Sequence, residues 1–147
     1  KIEGNISLKK IFNLACLIQE FISTDRGQDL IQGYKRAINI LTVEESKDGV
    51  EYSHEPKVDL FREKVELELY QHVTKIKQTV NSDLENDNVK TAIESLSKLR
   101  GPIDNFFDKV QINSESAMIR RNRLCLINSV KEVMHQVSDF SYIEVEG

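Results

Sequence analysis

The sequence predicts an all-α domain, a helical bundle of about five main helices plus one short helical turn. Three observations carry this. Apolar residues recur at helical spacing in several separate windows, and no stretch shows the strict alternation of a half-buried strand. Only two Pro and six Gly interrupt 147 residues, so breakers are few. With 39% hydrophobic and 30% charged residues, the chain has the balance of one globular, helix-rich unit with a single core.

The elements follow in order. Asn5 or Ser7 can cap a first helix running to about Ile22, with Ile11, Leu14, Ala15, Ile18, Phe21 and Ile22 as its apolar stripe. Residues 23–27 read as a turn. A second helix over about 28–43 puts Leu30, Tyr34, Ala37, Ile38 and Leu41 on one side. Arg36 and Asn39 then fall on the opposite, exposed side, with Lys35 flanking. Gly33 either weakens this helix or admits a close neighbour. Residues 44–55 read as a polar, mobile loop with nothing to pack it down. Pro56 starts a long third helix to about Val80, with Val58, Phe61, Val65, Leu69, Val73, Ile76 and Val80 in register.

Residues 81–87 break that helix, and a fourth spans about 89–99. Gly101 offers it a left-handed cap, and Pro102 suits the first position of the next element. That element is a one-turn apolar segment carrying Phe106 and Phe107. The last helix, about 115–137, buries Ile119, Leu126, Val130, Val133, Met134 and Val137. Arg120 and Arg121 project away from this face. Arg123 does not, so it reads as structural, pairing with Asp104 or Asp108, because a semi-buried guanidinium needs a carboxylate. Adjacent aromatics at a helix junction are usually core, and at least one of Phe106 and Phe107 is assigned there; base stacking is the competing role.

Charge and chemistry narrow the function. The net charge of −4 argues mildly against a dedicated nucleic-acid surface, so any such contact must come from locally concentrated Lys and Arg. No apolar run is long enough to span a bilayer, and no signal peptide is apparent. His54, His72 and His135 lie far apart, and no metal-ligand spacing, nucleophile motif or Gly-rich phosphate loop is present. Cys16 and Cys125 sit inside apolar helical patterns and read as buried free thiols, as suits a reducing cytosol; a disulfide between them is the disfavoured alternative. No catalytic residue and no metal ligand is assigned.

The run LRGPIDNFFDKV over residues 99–110 resembles the LR-x-P-[IV]-D-x-FFD-x-V signature of the bacterial glycyl-tRNA synthetase beta subunit family. RNRL at 121–124 would extend this with the family's NRL element, VSDFS at 137–141 with its V-[AS]-D-[FI]-S element, and KRAINIL at 35–41 with its KR-x-x-NIL helix. The order is the same, over roughly residues 30–143. Gly101 departs from the pattern, which commonly has an acidic residue there.

The resemblance implies a C-terminal, anticodon-binding helical domain similar to that of arginyl-tRNA synthetases, here a fragment of a longer cytoplasmic chain. It implies tRNA-Gly as partner, along with the alpha subunit and the rest of the beta chain, and no membrane or DNA. Lys35, Arg36, Asn39, Lys109, Arg120 and Arg121 become the tRNA-contact candidates. Asp104, Phe106, Phe107, Asp108 and Arg123 take structural roles. The parent would be an α2β2 glycine–tRNA ligase whose ATP and Mg²⁺ sites lie on the alpha subunit, leaving this fragment non-catalytic and without a cofactor. The competing class is a protein-interaction or assembly module, for which Leu8, Phe12, Cys16 and Leu17 widen the first helix's apolar face.

Overall fold

The computed structural model describes residues 8–114 and 116–140. The expected caps Asn5 and Ser7 and the last helix's expected start at Glu115 lie outside them. The fold is all-α: α1 (Leu8–Ile22), α2 (Asp25–Asp48), α3 (Lys64–Glu85), α4 (Val89–Leu96), α5 (Arg100–Lys109) and α6 (Ala117–His135), with 3-10 turns at Val58–Leu60 and Ser97–Leu99. α6 is the centre. Every residue from Asn122 to Val130 is buried, so this helix is enclosed on all sides where α2 and α3 pack on it. α5 bridges α2 and α3, α4 lies on α3, and α1 rests on α2 and α4. The predicted α3 register holds, with Val65, Leu69, Val73, Ile76 and Val80 all buried.

Local chemistry sets the boundaries, and several differ from expectation. Thr24 caps α2, its Oγ1 accepting from the Gly27 amide at 3.0 Å, so the helix starts inside the expected turn. It also runs to Asp48, where Gly49 at φ 72° closes it, its amide donating a hydrogen bond to the Glu45 carbonyl at 2.8 Å. Residues 44–48 are therefore helical. Glu, Lys and Ser tolerate a helix without an apolar stripe, and the following Gly supplies the stop.

In the remainder of that predicted loop, Tyr52 is anchored to the end of α2. Tyr52 is buried, its amide donating to the Glu45 carboxylate at 2.9 Å and its hydroxyl to Asp48 at 2.5 Å.

Pro56 does not start α3. The Asn122 side chain accepts from the Lys57 amide at 2.6 Å and donates to the Lys57 carbonyl at 2.9 Å, holding this segment extended at φ −101°, ψ 121°. The helix begins at Lys64 behind a capping box of Glu63 and Glu66, and Val58 is left exposed. α3 continues past Val80 to Glu85, and the break comes at Asn86–Asn88.

Gly101 is not a left-handed cap. Leu99 and Arg100 have helical dihedrals, and Gly101 and Pro102 lie within the first turn of α5, where the missing proline N–H costs nothing. The short turn at Phe106 is thus a ten-residue helix. Of the two roles open to Gly33, the structure shows the close neighbour, since a Cβ there would stand 3.1 Å from Ile103 Cγ2.

On α1 only one side of the C-terminal half docks. Ile18 is buried and Leu14, Leu17, Phe21 and Ile22 pack against the core, while Ile11 and Ala15, expected in the stripe, are exposed. Leu8 is 83% and Phe12 67% exposed. Cys16 is exposed and free and Cys125 buried and free, which corrects the expectation of two buried thiols. Among the described residues no helix is long and apolar enough to cross a membrane.

Candidate nucleic-acid interface

α2 and α5 build the first part of the surface. Phe106 is fully buried beside Ile103, and Phe107 meets it edge to face, ring centroids 5.6 Å apart at 68°. Phe107 is half-buried and carries the Arg36 guanidinium over its face, 4.5 Å from the ring centroid. A continuous stack thus leads from the core through two aromatics to a surface cation. Arg36 and Asn39 are exposed on α2, Lys35 is half-buried, and Lys109 is exposed in the last turn of α5. The sequence foresaw these side chains singly. That Arg36 and Phe107 meet required the packing of α2 on α5.

The arginines at the start of α6 separate. Arg120 does not project into solvent as expected. Its guanidinium binds the Glu44 carboxylate and Asp48 at 2.7 Å, and it donates to the Tyr52 hydroxyl at 3.4 Å and to Asn113 at 3.1 Å. Two carboxylates already neutralise it, so it is a tie between α2 and α6 and not a free phosphate ligand. Sequence reasoning missed Glu44, Asp48 and Tyr52 because it read their segment as loop.

Hydrogen bonds from Tyr52 and then Arg120 hold the Asp48 carboxyl below its ordinary 3.8. Burial first, and then Asp48, push the Tyr52 hydroxyl above its ordinary 10.0. A lowered carboxyl stabilises the fold above its unfolded pKa and loses that contribution as pH falls through the folded value. The raised phenol stabilises below its unfolded value and loses its contribution as pH rises through the folded one. The cluster is accordingly intact between about pH 4 and pH 10. Removing the cation lets the Asp48 value rise, so Arg120→Gln is expected to move the acid-unfolding midpoint to higher pH, read by helical circular dichroism against pH.

Arg123 is buried, but its partner is neither Asp104 nor Asp108. Nε lies 3.3 Å from Glu66 Oε1, and Nη1 donates to the Gln111 carbonyl at 2.6 Å. Glu66, with no exposed surface, also accepts from the Arg62 and Glu63 amides at 3.1 and 3.3 Å. Asp104 lies instead 4.0 Å from Arg100, and Asp108 is exposed. Arg121 is exposed and borders a concavity between α6 and the extended segment at His54 and Lys57. Among the described residues no group of three or more His, Cys, Asp or Glu is placed to hold a metal ion.

Residues 30–144 match the family model of the DALR anticodon binding domain. The chain belongs to this family. Its DALR domain takes in the Arg36–Phe107 stack and the whole of α3 to α6, while α1 precedes the matched stretch. Among similar proteins, the glycine–tRNA ligase beta subunit of Ruegeria sp. (strain TM1040) is 35% identical over 142 residues, 97% of this chain and 21% of that protein. That of Cereibacter sphaeroides (strain ATCC 17029 / ATH 2.4.9) is 36% identical over 141 residues, 96% and 20%. That of Phenylobacterium zucineum (strain HLK1) is 38% identical over 140, 95% and 21%. The chain with its DALR domain spans about a fifth of the length of these curated relatives.

Proposed function

We propose that this chain is the tRNA-recognition module of a glycine–tRNA ligase beta subunit and that it binds the anticodon region of tRNA-Gly. The observation that carries the proposal is the Arg36 guanidinium laid on Phe107 at 4.5 Å within a DALR domain. A guanidinium held over an aromatic face by a cation–π contact makes no demand on its N–H donors, which stay available for phosphate or base edges. Lys35, Asn39 and Lys109 add charge and hydrogen-bonding capacity around it. Arg120 leaves the contact set because its charge is spent within the fold.

The module's part is positioning: phosphate contacts set the register and base contacts select the tRNA. The chemistry, ATP-dependent joining of glycine to tRNA in the cytoplasm, belongs to the parent α2β2 enzyme, with ATP and Mg²⁺ on the alpha subunit. The fragment itself is non-catalytic and uses no cofactor. Neither membrane nor DNA enters this reading.

Binding of the chain to a tRNA-Gly anticodon stem-loop, titrated at two salt concentrations beside a mismatched-anticodon control, tests the reading. Salt-sensitive, anticodon-dependent binding is expected. Arg36→Glu should weaken it about tenfold or more, by the scale of a lost base or phosphate contact plus a repulsive charge. The melting transition should shift only by the loss of one exposed cation–π contact, about 0.5–1 kcal/mol. Unchanged affinity in Arg36→Glu would refute the assignment.

One observation favours a second role alongside, as an assembly module. Leu8, Ile11 and Phe12 expose a contiguous apolar face on α1, which precedes the matched stretch, and the relatives are about five times as long as this chain. Such a face fits docking onto the remainder of the beta chain or the alpha subunit, an association that added salt would not weaken.

A further inference from the structure

The cleft beside Arg121 has a construction that the tRNA reading leaves unused. Among the described residues, every other arginine is engaged. Arg26 donates to Ser97, Arg36 lies on Phe107, Arg62 donates to backbone carbonyls, and Arg100, Arg120 and Arg123 meet carboxylates. Arg121 donates no hydrogen bond and forms no ion pair among these residues, though it is exposed on the most enclosed helix of the fold. On α6 it shares a stripe with Met118, Asn122 and Cys125, spaced so that all four face one side. They line a concavity of about 320 Å³ whose opposite wall is His54 and Lys57.

Asn122 creates the space. By taking both backbone groups of Lys57 it ties the extended segment to α6, and the cleft opens beside that tie. The floor is buried and the rim exposed: Asn122 is 4% accessible, while Met118 is 61% exposed. The Cys125 thiol is pushed up by burial, so the floor carries no thiolate charge at neutral pH. Lys57 and Arg121 outweigh the single carboxylate of the rim, Glu55.

We propose that this cleft receives one unpaired nucleotide of the bound RNA, its base against Met118 and His54 and its phosphate at Lys57 and Arg121. The proposal rests on the tRNA reading and adds a second contact point to the Arg36–Phe107 stack. An apolar, polarisable wall with two free cations at its mouth matches the two halves of a splayed nucleotide. A paired helix offers the phosphate without the base, because its bases are stacked inside. A cleft of this size also falls within the range of pre-formed small-molecule sites.

The chain contains only two methionines, and Met134 is fully buried in the core, so methyl-labelled methionine gives one reporter at the cleft and one internal control. The chain is titrated with the anticodon stem-loop, with a fully paired duplex of equal length, and with cytidine monophosphate. The expected result is a Met118 methyl shift with the stem-loop and none with the duplex, Met134 staying fixed. Arg121→Gln should weaken stem-loop binding about tenfold and remove the Met118 shift, with Lys57→Gln acting in the same direction; circular dichroism confirms that both variants are folded.

Stem-loop binding that needs Arg36 but leaves Met118 unmoved and is unaffected by Arg121→Gln would overturn the cleft proposal while the tRNA reading stands. A duplex moving Met118 as far as the stem-loop does would reduce the cleft to a backbone contact and overturn it. Cytidine monophosphate moving Met118 where the stem-loop does not would assign the cleft to a free nucleotide instead. Absence of any stem-loop binding would overturn both readings together.

Discussion

Arg123→Ala is expected to destabilise the fold by about 3–5 kcal/mol, the scale of breaking a buried ion pair from one side. The magnitude follows from what remains. Glu66 has no exposed surface, and its carboxylate would keep only the two amides at the start of α3, from Arg62 and Glu63, as partners for a full negative charge. The Gln111 carbonyl loses its donor as well, and its segment connects α5 to α6. Urea denaturation gives the number directly. Replacing both partners by apolar residues of similar volume, Arg123→Met with Glu66→Leu, should recover much of the loss, because the cost of an unpaired buried charge disappears with the charge. A loss below about 1 kcal/mol in the single variant, the range of exposed pairs, would contradict the burial described for this pair.

Gly27→Ala is expected to be the second large perturbation, about 2–3 kcal/mol, at the upper end of ordinary overpacking. A Cβ at this position would stand 1.9 Å from the Phe21 carbonyl oxygen and 2.7 Å from its carbon. Both are backbone atoms, so no rotamer change relieves the clash. Relief requires α1 to move off α2, which carries Leu17, Ile18 and Phe21 away from the surface they cover. Hydrogen exchange should therefore show α1 amides losing protection while those of α6 retain theirs. Uniform loss of protection in every helix would mean that α1 is integral to the cooperative unit.

How far the sequence exposes this fold depends on whether a feature is local. The α3 stripe is local, since five apolar residues at helical spacing place themselves on one face whatever packs there. The exposure of Arg36 and Asn39 follows in the same way, because helix geometry alone opposes them to Tyr34 and Leu41. The stop at Gly49 was also available in the Lys47–Asp48–Gly49 run, yet the polar turn before it masked the helix it ends. Features that depend on a distant partner were not legible. Arg123 selects Glu66 from α3 over the nearer Asp104 and Asp108, and only the packing of α3 on α6 decides that choice. Arg120 was misread for the same reason: its charge looks free until residues 44–48 are known to be helical and to present two carboxylates to it. The extended segment at Lys57, which displaces the start of α3 from Pro56, is held by Asn122, whose amide gives no sequence signal of its own.

The central position of α6 bears on how the chain reaches this state. α2, with Leu30, Ile31, Tyr34, Ala37 and Leu41 on its inner face, leaves the ribosome well before the helix that covers it, and the contact from Arg120 to Glu44 spans 76 residues of sequence. α3 and α4, by contrast, are neighbours in sequence and pack on each other, so they can pair as soon as both have emerged. Until α6 has been synthesised, the inner faces of α2 and α3 lack their common partner and remain open to holdase chaperones or to self-association. Completion of this core therefore waits for α6, and a ribosome stalled before residue 117 would display an adhesive intermediate instead of a finished core.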